Sequence, residues 1–257
     1  MNLLIDIGNS NFKWCFSNGE EINNIQSFQY TQESIISLLN TKLLNEINLT
    51  ELDSIYTCCV AGANIKSVFS DWVNTTLLKP LIFFESSNQE FAVKNAYSNA
   101  SDLGNDRWLS LVFAHHLYQS DVCIIDCGTA ITIDVVLKSG QHEGGLIAPG
   151  YLSQIKALEL KTNITNNQKF VNQKNSRLLQ NNTYQCIEQG CRVMSLGFIK
   201  DMVKQLKHQY SDTLKVVITG GDSESLASEL PAEWYYNEDL LFRALLFFSA
   251  QSKNELN

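Results

Sequence analysis

Two short acidic turns carry the residues best suited to chemistry, and the first lies at the start of the chain. An apolar run ends in Asp6, and Gly8 and Ser10 follow, so that one reversal of the chain holds a carboxylate, a glycine and a hydroxyl. The bare N–H groups of such a turn suit anions, and the carboxylate can hold a cation directly or through water. The pattern predicts a β-hairpin that binds metal-bound phosphate, and a buried hairpin with a polar turn explains it equally well.

The second turn repeats the first in the other half of the chain. Residues 124–130 read Ile-Ile-Asp-Cys-Gly-Thr-Ala, and residues 4–10 read Leu-Ile-Asp-Ile-Gly-Asn-Ser. An alternating apolar segment follows each turn, as expected for the second strand of a hairpin. Two matching hairpins, one in each half, predict a duplicated domain with a ligand held between the halves.

A third cluster lies where a loop becomes a helix, in residues 103–108. Asp106 could accept a proton from a substrate hydroxyl, and Arg107 could bind a carboxylate or steady phosphoryl charge. Taken alone, the pair is explained more simply as a helix-end charge with its ion-pair neighbour. Glycine-rich turns at 144–150 and 219–222 resemble places where α/β proteins seat nucleotides, but the sequence contains neither a P-loop nor a dinucleotide-binding motif.

Composition narrows the class of protein. The 257 residues are 44% hydrophobic, enough for a well-buried core, and the net charge of -8 without a basic cluster argues against a nucleic-acid surface. We expect no membrane span and no signal peptide, because no apolar run is long enough and no basic segment precedes the first one. The seven cysteines, without a Cys-x-x-Cys pair, indicate reduced thiols of a cytoplasmic protein.

Strand and helix periodicity gives both halves the order β-β-β-α-β-α-β-α. Strands that alternate with helices require at least partly parallel sheets, so we predict an α/β fold with domains at 1–118 and 119–257. The last helix, near 238–251, is assigned to the second domain. The run 162–182, rich in Asn and Gln, is predicted to be a mobile surface loop.

Together these motifs resemble the type III pantothenate kinases, in the superfamily of acetate and sugar kinases, heat-shock chaperone ATPases and actin. Residues 6–13 resemble the first phosphate motif of the family, Tyr97 with 103–107 its pantothenate motif, and 126–129 its second phosphate motif. The resemblance extends from Asp6 to about Gly221 and implies duplicated ribonuclease-H-like, or actin-like ATPase, domains with a nucleotide cleft between them.

The resemblance implies transfer of the ATP γ-phosphate to the terminal hydroxyl of pantothenate, the first step towards coenzyme A. It makes Asp106 the general base, assigns Asp126 to a monovalent cation, K⁺ or ammonium, and places Mg²⁺ among the phosphates. It also implies a homodimer, in which Thr183 reaches pantothenate from the partner subunit. The implied ATP contacts are Asp6, Ile7, Gly8, Asn9, Ser10, Asn11, Phe12, Lys13 and Thr129, and the implied pantothenate contacts are Tyr97, Gly104, Asn105, Asp106, Arg107 and Thr183.

Three positions depart from the pattern that the resemblance implies. Ala100 stands where the family commonly has proline, Asn105 where it has alanine, and Ser10 where it has threonine. Asn105 places an amide beside the base and could alter substrate fit or the orientation of Asp106. Two other functions stay open: another small-molecule kinase of the superfamily, and a nucleotide-binding transcriptional accessory protein.

Overall fold

The computed structural model describes residues 1–162 and 178–254. The chain divides into two compact units, Met1–Leu117 with Asp239–Asn257, and Tyr118–Glu238. The strands are β1 (Asn2–Ile7), β2 (Asn11–Ser17), β3 (Gln26–Gln29), β4 (Ser54–Cys59), β5 (Leu81–Phe84), β6 (Gln89–Glu90), β7 (Val93–Lys94), β8 (Val122–Cys127), β9 (Ala130–Val136), β10 (His142–Pro149), β11 (Lys215–Thr219) and β12 (Tyr235–Tyr236). The helices are α1 (Ile35–Leu38), α2 (Gly62–Trp72), α3 (Asn105–Tyr118), α4 (Tyr151–Thr162), α5 (Thr183–Gln209), α6 (Ser223–Ala227) and α7 (Leu240–Asn254).

The sheet of the first unit has the order β3-β2-β1-β4-β5. The strand β1 lies at its centre, antiparallel to β2 and parallel to β4, and all six of its residues are buried. Successive side chains of a strand point to opposite faces of the sheet, so the burial of all six residues means that both faces of the sheet are covered at β1. Leu3, Ile5 and Ile7 pack on the face that α1 and α2 cover, whereas α7 packs against β1 and β4.

The second unit repeats this arrangement with the order β10-β9-β8-β11-β12. Its central strand β8 pairs antiparallel with β9 and parallel with β11, as β1 does with β2 and β4. One face of the sheet packs on α5, through side chains such as Cys123, Ile125 and Ile199. The repeat read from the two acidic turns is therefore a repeat of whole sheets, and the predicted α/β class is confirmed.

Several details differ from the sequence-based expectation. The last helix, α7, belongs to the first unit, although sequence order suggested the second. The segment 144–149 continues strand β10 after an irregularity near Gly144, so that the turn into α4 is confined to Gly150. Residues 163–177 of the predicted 162–182 loop lie outside the described residues. Within the described ranges, no helix combines the length and apolar character needed to cross a membrane.

Candidate functional site

The first acidic turn joins β1 to β2 and is closed by backbone and side-chain hydrogen bonds. The N–H of Gly8 donates to the carbonyl oxygen of Asn11 at 3.0 Å. The hydroxyl of Tyr30, just beyond β3, donates to the carbonyl oxygen of Gly8 at 2.6 Å. Burial raises the pKa of Tyr30 to about 12, and the charges of Cys59 and Asp6 contribute, so this hydroxyl keeps its proton as a donor.

The residues assigned to this turn divide by the direction of their side chains. Ile7 and Phe12 are buried in the core, so only their backbone could meet a ligand. Asn9 is exposed at the tip of the turn, and Ser10 is half-buried beside it. Lys13 lies opposite Asp6 in the β1–β2 ladder. The turn therefore offers polar groups at its tip and a carboxylate with a lysine at its base.

A buried thiol lies near two carboxylates of the first unit. Cys58 is the β4 residue paired with Asp6 and is fully buried. Burial raises the pKa of the Cys58 thiol well above its usual value, and the negative charges of Asp106 and then Asp6 raise it further. Charges act on a buried group most strongly at short range. The fold therefore brings the predicted general base and the acid of the phosphate turn to one end of β4.

The start of α3 orients the carboxylate of Asp106. Its Oδ1 accepts the N–H of Arg107 at 2.8 Å, and the helix begins with the N–H of Trp108 donating to the carbonyl oxygen of Gly104 at 3.0 Å. A Cβ at Gly104 would lie 2.7 Å from Oδ1 of Asp106, closer than real Cβ contacts. Gly104 is therefore needed because any side chain there would push the carboxylate aside.

Arg107 and Tyr97 form a second feature of the same helix start. The guanidinium of Arg107 is buried, and its Nη1 donates to the Tyr97 hydroxyl at 3.1 Å. The backbone N–H of Tyr97 donates to Oδ1 of Asn95, a buried side chain, at 3.0 Å. The structure thus brings together two of the residues that the resemblance assigned to pantothenate.

Asn105 makes contacts that its sequence position did not indicate. Its Nδ2 donates to the carbonyl oxygen of Cys59 at 3.1 Å. Its Oδ1 accepts the N–H of Ser86 at 2.9 Å and lies 3.2 Å from the Ser86 hydroxyl oxygen. The amide therefore joins three segments of the first unit: the end of β4, the loop after β5 and the start of α3.

The second acidic turn, between β8 and β9, is closely packed by the backbone of neighbouring segments. The N–H of Gly128 donates to the carbonyl oxygen of Ala130 at 3.0 Å, and the N–H of Gly150 donates to that of Thr129 at 3.0 Å. A Cβ at Gly150 would run into the carbonyl oxygens of Gly128 and Thr129. Gly220, whose φ is +96°, approaches Asp126 and the Cys127 carbonyl in the same way.

Asp126 shares this end of the sheet with Asp222. Burial, and then the charges of Asp126 and Asp222, raise the pKa of the Cys127 thiol to about 12. The carboxylate of Asp222 lies 3.5 Å from the backbone nitrogen of Leu152, in the first turn of α4. Within the described residues, no group of three His, Cys, Asp or Glu side chains is arranged to hold a metal ion.

Thr129 and Thr183 lie on different elements of the second unit. Thr129 is exposed at the tip of the turn, and its carbonyl oxygen also accepts the Ser153 hydroxyl at 2.7 Å. Thr183 is the exposed first residue of α5, and the preceding Asn182 caps that helix by accepting the N–H of Gln185 at 2.9 Å.

The sequence did not predict that Tyr30 and Ser86 belong to the site. Neither belongs to a motif, and each reaches the site only through the fold. The pairing of β3 with β2 carries Tyr30 to the first turn, and the loop after β5 carries Ser86 to α3. No local signal could have found them.

Comparison with known proteins identifies a family. A model of the type III pantothenate kinase family matches residues 2–205. The type III pantothenate kinase of Nitrosococcus oceani is 30% identical over 250 residues, which cover 95% of this chain and 92% of that protein. The enzyme of the same name from Pseudoalteromonas atlantica is 32% identical over 250 residues, covering 95% of each chain.

Solved structures agree in fold. A Campylobacter jejuni protein described as a proposed Baf family transcriptional activator has a TM-score of 0.61 at 23% identity, covering 99% of this chain and 100% of that one. MreB 5 of Spiroplasma citri, bound to AMPPNP, has a TM-score of 0.52 at 10% identity, covering 99% and 97%. Such identities establish the actin-like ATPase fold alone. The family model, which spans most of the chain, and relatives at 30% identity or more establish that this chain belongs to the type III pantothenate kinase family.

Proposed function

We propose that Asp106 is the general base of the pantothenate kinase reaction, the activity that family membership assigns to this chain. The reaction transfers the γ-phosphoryl group of ATP to the terminal hydroxyl of pantothenate and is the first step of coenzyme A biosynthesis. Asp106 accepts the proton of that hydroxyl as its oxygen attacks phosphorus, and ADP leaves. The observation that carries the proposal is the anchored carboxylate, with Oδ1 held by the N–H of Arg107 at 2.8 Å.

The pantothenate contacts are proposed around the start of α3. Tyr97, Gly104, Asn105 and Arg107 border the substrate beside Asp106. The support is their proximity in the first unit, where the Arg107 guanidinium donates to the Tyr97 hydroxyl at 3.1 Å. A buried guanidinium suits the substrate carboxylate or phosphoryl charge, because its fork of donors pairs with two oxygens at once.

ATP is proposed to meet the two acidic turns, with residues 6–13 of the first and Thr129 of the second in contact. The polar tip of the first turn, with exposed Asn9 beside Ser10, supports this assignment. Kinases of this family use ATP with Mg²⁺, a hard cation that the carboxylate oxygens of Asp6 suit. When bound, Mg²⁺ counters the charge of the phosphates.

Asp126 is proposed to hold the monovalent cation, K⁺ or ammonium. Its carboxylate lies where Gly220 leaves no room for a Cβ, and Asp222 is near. The carboxylates of Asp126 and Asp222 offer oxygen ligands, the type that hard cations prefer.

A homodimer is proposed, with Thr183 of each subunit reaching the pantothenate of the other. Large apolar side chains are exposed on β10, α4 and α5 of the second unit, and such side chains mark protein interfaces when they form a patch. They are Leu146, Ile147, Leu160, Val193 and Met194. We further propose a cytoplasmic enzyme without a nucleic-acid partner, supported by seven free cysteines and the net charge of -8.

The first test is ADP release from ATP and Mg²⁺, with and without pantothenate, in K⁺ and then in Na⁺. We expect release to need both pantothenate and K⁺. Release in Na⁺ alone would contradict the cation proposal, and release with a sugar or acid in place of pantothenate would favour another kinase of the superfamily.

The second test is Asp106→Asn. We expect kcat to fall by roughly a hundredfold to ten-thousandfold, because the amide cannot accept the proton, while ATP still binds. Asp102→Asn, an exposed position just before α3, is the matched control and should keep full activity. A fully active Asp106→Asn variant would remove Asp106 as the base.

A further inference from the structure

The amide of Asn105 is engaged by the protein on both of its atoms. Its oxygen accepts the N–H of Ser86 at 2.9 Å and lies 3.2 Å from the Ser86 hydroxyl oxygen, and its nitrogen donates to the carbonyl oxygen of Cys59 at 3.1 Å. Ser86 also holds the segment just before α3, because its hydroxyl donates to the carbonyl oxygen of Leu103 at 2.8 Å. Three simultaneous hydrogen bonds, called the tie below, thus connect the residues that precede Asp106 with β4 and with the loop after β5.

This tie ends beside the base. Asn105 is the first residue of α3, and Asp106 follows it directly. The Cys59 carbonyl belongs to the last residue of β4, next to Cys58, whose thiol is influenced by the charges of both Asp106 and Asp6.

We infer that Asn105 is a positioning residue, which holds the start of α3 on the end of β4 and so fixes Asp106 relative to the first acidic turn. The inference rests on the proposed role of Asp106, and it gives the Asn105 side chain a positioning role in place of a contact with pantothenate. Fixed geometry matters in phosphoryl transfer because a misplacement of about 1 Å can slow a reaction by about a hundredfold.

The test compares Asn105→Ala with Ser86→Ala in the full-length protein. Asn105→Ala removes both bonds that the Asn105 amide makes, and we expect kcat to fall roughly tenfold to a hundredfold with the KM for pantothenate within about twofold of the parent value. Ser86→Ala keeps the Ser86 N–H and removes only its hydroxyl, so we expect a smaller fall of the same kind. Asn48→Ala, which removes an amide from an exposed turn of the same unit, should leave both constants unchanged.

A KM for pantothenate raised tenfold or more at unchanged kcat would make Asn105 a substrate contact and overturn the inference. Unchanged kcat and KM in Asn105→Ala would overturn it as well. Loss of the folded state is monitored by thermal unfolding, and if Asn105→Ala fails to fold, Ser86→Ala decides by the same split between kcat and KM.

A readout that does not depend on the reaction separates this inference from the proposed function. Amide hydrogen exchange of Ser86 and of Arg107, whose N–H donates to Asp106, should quicken in Asn105→Ala and not in Asn48→Ala. If the parent protein releases no ADP with pantothenate, the proposed function fails, and the exchange rates still test the tie. Exchange at Arg107 equal to that of the parent would contradict the positioning role.

Discussion

The two acidic turns are copies in sequence and topology, but they are held in place differently. Each leaves the central strand of a five-stranded sheet, and each is closed by a glycine N–H, that of Gly8 or Gly128, at 3.0 Å from a carbonyl oxygen. The first turn is held by the hydroxyl of Tyr30, which donates to the Gly8 carbonyl oxygen. The second accepts the Ser153 hydroxyl, but it is also packed so closely by Gly150 and Gly220 that neither glycine has space for a Cβ.

The difference implies that the two copies of the motif tolerate substitution to different degrees. A side chain that holds a turn can be removed at the loss of one hydrogen bond, which contributes about 1 kcal/mol. Backbone packed on backbone has no flexible part that can yield, so an added methyl group must displace the chain. We therefore expect the second turn to be the less tolerant of the two.

The largest expected effect is that of Gly150→Ala. Its Cβ would overlap the carbonyl oxygens of Gly128 and Thr129, so we expect the free energy of unfolding to fall by about 3 kcal/mol, a loss of roughly 6–12 °C in Tm. Gly8→Ala should lose much less, about 1 kcal/mol, because its Cβ would lie 3.3 Å from the Asn11 carbonyl oxygen alone.

Thermal unfolding of both variants measures this contrast. Gly197→Ala is the matched control, since that helical glycine is exposed with nothing within 4 Å, and alanine should raise stability by about 0.5–1 kcal/mol. Equal losses in Gly150→Ala and Gly8→Ala would refute the proposed difference between the turns.

The next effect is a loss of stability in alkali. Burial first, and then nearby carboxylates, raise the pKa of Cys127 to about 12 and that of Cys58 well above 9.0, so the folded protein keeps protons that the unfolded chain releases. Their stabilisation is complete below pH 9.0 and is lost as the pH rises above it. Each thiol should lower the free energy of unfolding by up to about 1.4 kcal/mol per pH unit.

Urea unfolding at about pH 8, 9 and 10 measures this slope. Cys127→Ala and Cys58→Ala should each reduce it by about one proton, and the exposed Cys186→Ala is the control that should not. Two variants with the parent slope would contradict the proposal that these thiols remain protonated in the fold.

The smallest effect is that of Tyr30→Phe. It removes the donor to the Gly8 carbonyl, so we expect a loss of about 1 kcal/mol and a KM for ATP raised severalfold, with the KM for pantothenate unchanged. Tyr210→Phe, whose hydroxyl meets Glu143 in an exposed contact of the second unit, is the control. A raised KM for pantothenate at unchanged KM for ATP would show that Tyr30 serves another part of the site.

Much of the fold could be predicted because local sequence patterns specify its strands, helices and turns. The repeated Asp-x-Gly turns mark the central strand of each sheet, and apolar periodicity gave the order of strands and helices around them. Apolar periodicity indicates which side of a helix or strand is buried, and a turn motif indicates the local backbone conformation. Both can be recognised without knowing which element packs against them.

The family could also be predicted from sequence, because its motifs are short and contiguous. Residues 6–13, 103–107 and 126–129 each fall within one turn or helix start. Their assignment to substrate, nucleotide and cation stays a prediction, and the experiments above address it.

What only the tertiary structure decided concerns contacts between segments far apart in the chain. Sequence order assigns α7 to the second half, yet it packs on β1 and β4 of the first unit. The amide of Asn105 reaches Cys59 and Ser86, which precede it by 46 and 19 residues. Sequence alone determined which elements form and which motifs they carry; only packing decided which atoms meet, because the direction of a side chain depends on the neighbours that the fold supplies.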